Sequence, residues 1–108
     1  MILRLWSAEM RASEVDAYIR YFEVTGAKDY GATPGNLGYQ LLFEDIDSER
    51  TRVMTLSWWK SEADIRTFAG EDFSRARYYP EDDRYLLTFP DTVQHFRVPI
   101  SYRSPPAT

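Results

Sequence analysis

The chain has 108 residues, a net charge of −4 and no cysteine. That length holds one domain with one modest core, and the missing thiols exclude a disulfide scaffold, thiolate metal centres and cysteine nucleophiles. A single histidine, His95, excludes zinc sites built on several imidazoles, and the acidic balance argues against a nucleic-acid partner. The 3 Trp, 8 Tyr and 6 Phe must fill a core, an interface or a pocket.

Ile2 to Ser7 is apolar apart from Arg4 and predicts a short buried strand. The same stretch is too brief for a signal segment or a membrane span, so the expectation is a soluble, cytoplasmic domain with no membrane partner. Ser13 can cap a helix, with Asp16 at the third position and Val15, Tyr18, Ile19 and Phe22 at helical spacing. Gly26, Gly31 and Pro34-Gly35-Asn36 predict its end and a loop. Leu37, Tyr39, Leu41 and Phe43 alternate along a second strand, and the charged stretch from Asp45 to Arg50 makes the turn into a third, Arg52 to Trp59. Ser61 caps a second helix that closes at Gly70. Asp72 to Phe89 reads as irregular helical turns restarted by Glu81-Asp82-Asp83, acids that favour a helix start over a metal site. A fourth strand is expected from Asp91 to Val98, followed by a proline-rich tail over 99–108.

This order, strand-helix-strand taken twice, is that of an α+β ferredoxin-like βαββαβ sandwich with a four-stranded antiparallel sheet. Right-handed crossovers put the first and third strands in the middle. Helices cover one face of such a sheet, yet Leu3 and Leu5 oppose Ile2 and Trp6, and Met54, Leu56 and Trp58 oppose Val53 and Trp59. Both faces are apolar, and the chain has no further element to cover the second. A second copy packed sheet to sheet is therefore expected, giving a homodimer.

Trp59-Lys60-Ser61, Ile65, Phe68-Ala69-Gly70, the run Tyr78 to Leu86 and Val93-Gln94-His95-Phe96 resemble the antibiotic biosynthesis monooxygenase (ABM) family. Arg4-Leu5-Trp6 and the Pro34-Gly35-Asn36 loop are similar too, so the resemblance spans residues 1–98. It implies a dimeric α+β barrel of two ferredoxin-like sheets and an oxygenase. The heme-degrading branch of that superfamily carries a tryptophan nine residues after the Trp of its W-x-S motif and a histidine about ten further on. Counted from Trp59 those positions hold Phe68 and Tyr78, and the only asparagine, Asn36, lies in a loop. Heme degradation is thus disfavoured.

Among candidate catalytic residues, His95 is the one side chain that titrates near neutrality and is the natural general base; the alternative is an edge-strand residue bonded across the dimer. Arg4, a cation on a central strand, must hold a ligand anion or pair with an acid such as Asp83. Tyr78 can donate to a substrate oxygen or plug the end of the sandwich. Trp6, Trp59, Phe68, Tyr79 and Asp83 are the expected substrate-binding set, with plain core filling as the alternative for the rings. No G-x-G-x-x-G, P-loop or H-E-x-x-H is present, so no organic cofactor or metal is expected. The resulting expectation is a cofactor-independent monooxygenase that uses O2 on an electron-rich aromatic such as a hydroquinone, anthrone or polyketide. A cofactor-free cyclase, isomerase or dehydratase on a similar substrate is the alternative, as is a non-catalytic dimer that binds small molecules.

Overall fold

The structure, a computed structural model, describes residues 1–102; the last six residues of the expected tail, 103–108, lie outside the described residues. Strand β1 (Ile2–Arg11) leads through a 3-10 turn (Ala12–Glu14) into α1 (Val15–Val24) and α2 (Gly26–Ala32). Strands β2 (Asn36–Asp45) and β3 (Arg50–Trp59) form a hairpin, α3 (Glu62–Ala69) follows, and a long connection with one 3-10 turn (Asp82–Arg84) reaches β4 (Gln94–Arg97). The four strands form one antiparallel sheet in the order β2-β3-β1-β4, with β3 and β1 central as the crossover rule requires. No helix among the described residues is long and apolar enough to cross a membrane.

Four elements depart from the sequence reading; the first is the start of α1, where Ser13 lies inside the 3-10 turn and no side chain caps the helix. β1 runs four residues past Ser7, because its inward-facing row continues through Ala8 and Met10, paired with Val53 and Thr51. Ser7 and Glu9 interrupt the apolar run only on the opposite face. The expected loop at Gly26 is a second helix. Thr25 breaks α1 and returns its hydroxyl to the Tyr21 carbonyl at 2.8 Å. Gly26 then restarts the helix hard against the Phe22 ring, where a Cβ would stand 2.8 Å from Cε1. Its glycine serves close packing and ends no structure. β4 is shorter than the expected Asp91–Val98, since Val93 donates to Ser74 at 2.8 Å and Thr92 bridges Arg75, away from β1.

Local chemistry explains the remaining boundaries. Ser61 Oγ accepts from the Asp64 N–H at 3.3 Å and donates to the Asp64 carboxylate at 2.9 Å, which caps α3. Gly35 holds φ +90° with its α-carbon against the Asp64 side chain, so a Cβ there meets both backbone strain and a clash.

Even-numbered residues of β1 and odd-numbered residues of β3 face the helices. Met10, Val53, Trp59 and Ile65 are fully buried there, each contributing roughly 1.5–3 kcal/mol of apolar burial. Trp59 donates its indole N–H to Ser57 Oγ at 2.8 Å, which satisfies its one polar atom inside the core. The other face carries Leu3 opposite Trp58 and Phe96, Leu5 opposite Leu56, and Leu42 opposite Met54. None of these is fully buried, and Phe96 and Leu42 are exposed. Trp58 and Trp59 thus point to opposite faces, as the period of two demands.

Candidate active site

A narrow cleft, with about 50 Å³ open to a water-sized sphere, lies between the helix side of the sheet, α1 and α2, and the connection that follows α3. Arg4, Trp6 and Thr55 form its floor, Tyr18, Phe22 and Tyr30 one wall, and Phe68, Arg77, Tyr79, Asp82 and Val93 the other.

Arg4 is 3% exposed on the central strand β1. Its guanidinium carries five N–H donors and no acceptor. Nη1 donates to the Phe73 carbonyl at 2.5 Å and to His95 Nε2 at 3.1 Å, and Nη2 donates to the Arg75 carbonyl at 3.0 Å. No carboxylate among the described residues pairs with it, Asp83 included. Burial pulls its proton affinity below the usual arginine value, and Arg77 adds to that while Tyr30 opposes it. An arginine stays charged in such a setting. Two of its five donors, the Nε–H and one N–H of Nη2, have no partner among the described residues.

His95 faces Arg4 across the β1–β4 pair and packs edge-on against Phe73, with ring centroids 4.9 Å apart. Because a guanidinium only donates, Nε2 is the acceptor of the 3.1 Å contact and the imidazole proton sits on Nδ1. Burial, then the Arg4 charge, push its pKa below the usual histidine value, so the ring is neutral at pH 7. The lone pair a general base would use is committed to Arg4. His95 also borders an open groove at the β4 edge and does not line the aromatic cleft.

The other sequence candidates divide in the same way. Trp6, Phe68 and Tyr79 line the cleft with Arg4. Trp59 lies behind it, fully buried, its ring 5.3 Å from Phe68. Tyr78 stands outside, accepting from the Trp6 indole at 3.2 Å and donating to the Pro90 carbonyl at 2.6 Å, so its hydroxyl fixes Trp6. Asp83 is exposed and away from the cleft.

Tyr30, Arg77 and Asp82 are among the lining residues that the sequence reading did not single out as site candidates. Tyr30, brought in by α2, stacks on Phe68 at 4.8 Å and reaches Thr55 Oγ1 at 3.4 Å. Arg77 lies over the Phe68 ring at 4.9 Å and donates to Asp29 at 2.8 Å. Asp29 also accepts the Tyr79 hydroxyl at 2.5 Å, which ties α2 to the far wall. Burial and that carboxylate raise the Tyr79 phenol well above its ordinary value. Asp82 is buried where its neighbour Asp83 is exposed. Glycines at 26 and 31 concealed α2, and nothing in Glu81-Asp82-Asp83 marks which acid turns inward. Among the described residues no group of His, Asp and Glu is placed to hold a metal ion.

No family model matches the sequence, and no curated protein matches it. Among solved structures the chain is similar to that of a mutant of MhuD with two manganese protoporphyrin IX molecules bound per active site. The likeness has a TM-score of 0.57 at 18% sequence identity and covers 96% of this chain and 100% of that one. At that identity it is a likeness of fold alone, the ferredoxin-like α+β arrangement.

Proposed function

We propose that the protein is a cofactor-independent monooxygenase of an electron-rich aromatic substrate, a hydroquinone, anthrone or polyketide-like ring system. The observation that carries this reading is the pairing of an aromatic cleft with a buried guanidinium that keeps two unpartnered N–H donors. Trp6 and the stacked pair of Phe68 and Tyr30 give the cleft aromatic surfaces for a flat ring system to lie against. The substrate's oxygen meets the Arg4 donors, where a developing phenolate or enolate is stabilised by a preorganised charge in a site of low dielectric. An anthrone-like substrate, once deprotonated, transfers an electron to O2, and the radical pair recombines to a peroxide. Cleavage of its O–O bond leaves a carbonyl and releases water, so that CH2 and O2 become C=O and H2O. All electrons come from the substrate, and the protein supplies orientation, charge and a dry cavity.

A porphyrin of the kind bound by MhuD does not suit these residues. No imidazole faces the cleft, the Tyr78 oxygen is occupied by Pro90 and Trp6, and the floor is a buried cation. No step is assigned to one.

The open apolar face of the sheet supports a homodimer formed sheet to sheet, the arrangement that removes Leu3, Leu56 and Trp58 from water together. Oxygen uptake with anthrone or hydroquinone under air tests the reaction. Uptake above the buffer rate that disappears in Arg4→Met supports it. Turnover of the same substrates at an equal rate without oxygen points to the cyclase or isomerase alternative, and binding with no turnover to a non-catalytic carrier.

A further inference from the structure

Asp82 is a buried carboxylate that packing alone does not explain. It is 6% exposed, opens the Asp82–Arg84 turn and lines the cleft. Its backbone is firmly held: its N–H donates to the Tyr79 carbonyl at 3.1 Å, and its own carbonyl accepts from Tyr85 at 3.0 Å and Leu86 at 2.9 Å. Among the described residues the donors that reach the carboxylate are the Tyr79 N–H, at 2.7 Å from Oδ2, and the Tyr21 hydroxyl, fewer than its two oxygens can accept.

The surroundings favour a proton. Asp82 forms no ion pair among the described residues, unlike Asp29, which Arg77 and Tyr79 hold. The groups that face it are the Tyr18 and Tyr21 phenols of α1, the Tyr78 phenol and the adjacent Asp83. Burial raises its carboxyl above the usual range and Asp83 raises it further, against the Tyr79 N–H and the Tyr21 hydroxyl. A carboxylate tuned upward in this way is the type suited to general-base work. In the same cleft, Arg4 offers two free N–H donors.

We propose that Asp82 is the proton acceptor of the cleft, with the substrate held between its carboxylate and the two unpartnered N–H donors of Arg4. The inference rests on the oxygenation reading for its substrate class and adds what that substrate must carry: an activated C–H or O–H at one end and an oxygen at the other. The C–H or O–H bond breaks, the proton moves to the carboxylate, and the electron pair stays on the substrate as an enolate or phenolate facing Arg4. After O2 adds, the proton returns to the peroxide oxygen to give a hydroperoxide; the second C–H proton then leaves as the O–O bond breaks, the C–H electron pair forms the carbonyl, and the departing hydroxide and that proton make water. His95 takes no proton in this scheme and positions Arg4.

The test is anaerobic exchange of the anthrone ring methylene in D2O, followed by proton NMR. Asp82→Asn keeps an oxygen for the Tyr79 N–H and the size of the side chain, and near-UV circular dichroism checks its fold. The wild-type protein should exchange well above the buffer rate. Asp82→Asn should lose about 100- to 10,000-fold of that acceleration. In Asp82→Ala, added formate should restore exchange in proportion to its concentration, a rescue that a purely structural Asp82 could not show. Exchange in Asp82→Asn equal to wild type, or wild-type exchange no faster than buffer, overturns the proposal. Oxygen uptake on the same samples separates the two inferences. Asp82-dependent exchange without uptake removes the oxygenation reading alone, and uptake with exchange indifferent to Asp82 removes this one alone.

Discussion

Replacing His95 distinguishes a base from a positioning residue. The imidazole accepts one hydrogen bond, from Arg4 Nη1 at 3.1 Å, and makes an edge-on contact with Phe73. A hydrogen bond involving a charged donor contributes about 1.5–3 kcal/mol, and the partial exposure of His95 puts this one at the lower end. His95→Ala should therefore cost about 1.5 kcal/mol of stability and, if Arg4 loosens to the same degree, roughly tenfold in oxygen uptake. Glutamine can offer its carbonyl oxygen where Nε2 stood but cannot act as a base. His95→Gln should recover most of both losses. A base role makes a different forecast, with Ala and Gln equally inactive by about 100-fold or more at unchanged stability. Urea midpoints and uptake rates measured on the three proteins decide the matter. Equal and large activity losses in both variants, with the urea midpoint unmoved, would refute the positioning role.

Acid should weaken the fold through the same ring. His95 has a pKa lowered below its unfolded value, so its contribution is complete above pH 6.5 and is lost as pH falls toward the folded value. Asp82 is raised and acts in the opposite sense, gaining stability as pH falls. The difference in urea stability between wild type and His95→Gln cancels Asp82 and should shrink from pH 7 to 5, by at most about 1.4 kcal/mol per pH unit; a constant difference contradicts this. Ile65→Ala empties a fully buried site under α3 and should cost about 2–5 kcal/mol in chemical denaturation. Leu56→Glu, on the open face of the sheet opposite Leu5, should turn a dimer into a monomer in sedimentation experiments. A monomeric wild type would dismiss the sheet-to-sheet pairing.

The strand count, the sheet order, the cap at Ser61 and the opposed faces of Trp58 and Trp59 were all legible, because each follows from a local period or a local hydrogen bond. α2 was not, because Gly26 reads as a breaker until the Phe22 ring beside it is known. The cleft was legible only in part. Arg4 stood out as a cation among apolar neighbours, but its partners are main-chain carbonyls at Phe73 and Arg75, which no sequence pattern marks. The choice between Asp82 and Asp83 depends on the phase of a three-residue turn, set by the docking of Tyr85 and Leu86 into the core. For Tyr78, the phenol was visible in the sequence and its bond to the Pro90 carbonyl was not.

The bonds of Arg4 also decide how firmly the far wall of the cleft is held. The connection after α3 is moored to the sheet by a buried guanidinium with three partners, and freeing it would strand a desolvated cation at a cost of several kcal/mol. On its outer side the same connection is held to α2 by Arg77 and Asp29, a pair about one-third exposed. Such a pair contributes about 1 kcal/mol or less. Of the two moorings the inner one, at Arg4, is therefore the costlier to break, and the outer one relies on the Tyr79 hydroxyl as well as Arg77 to keep Asp29 in place.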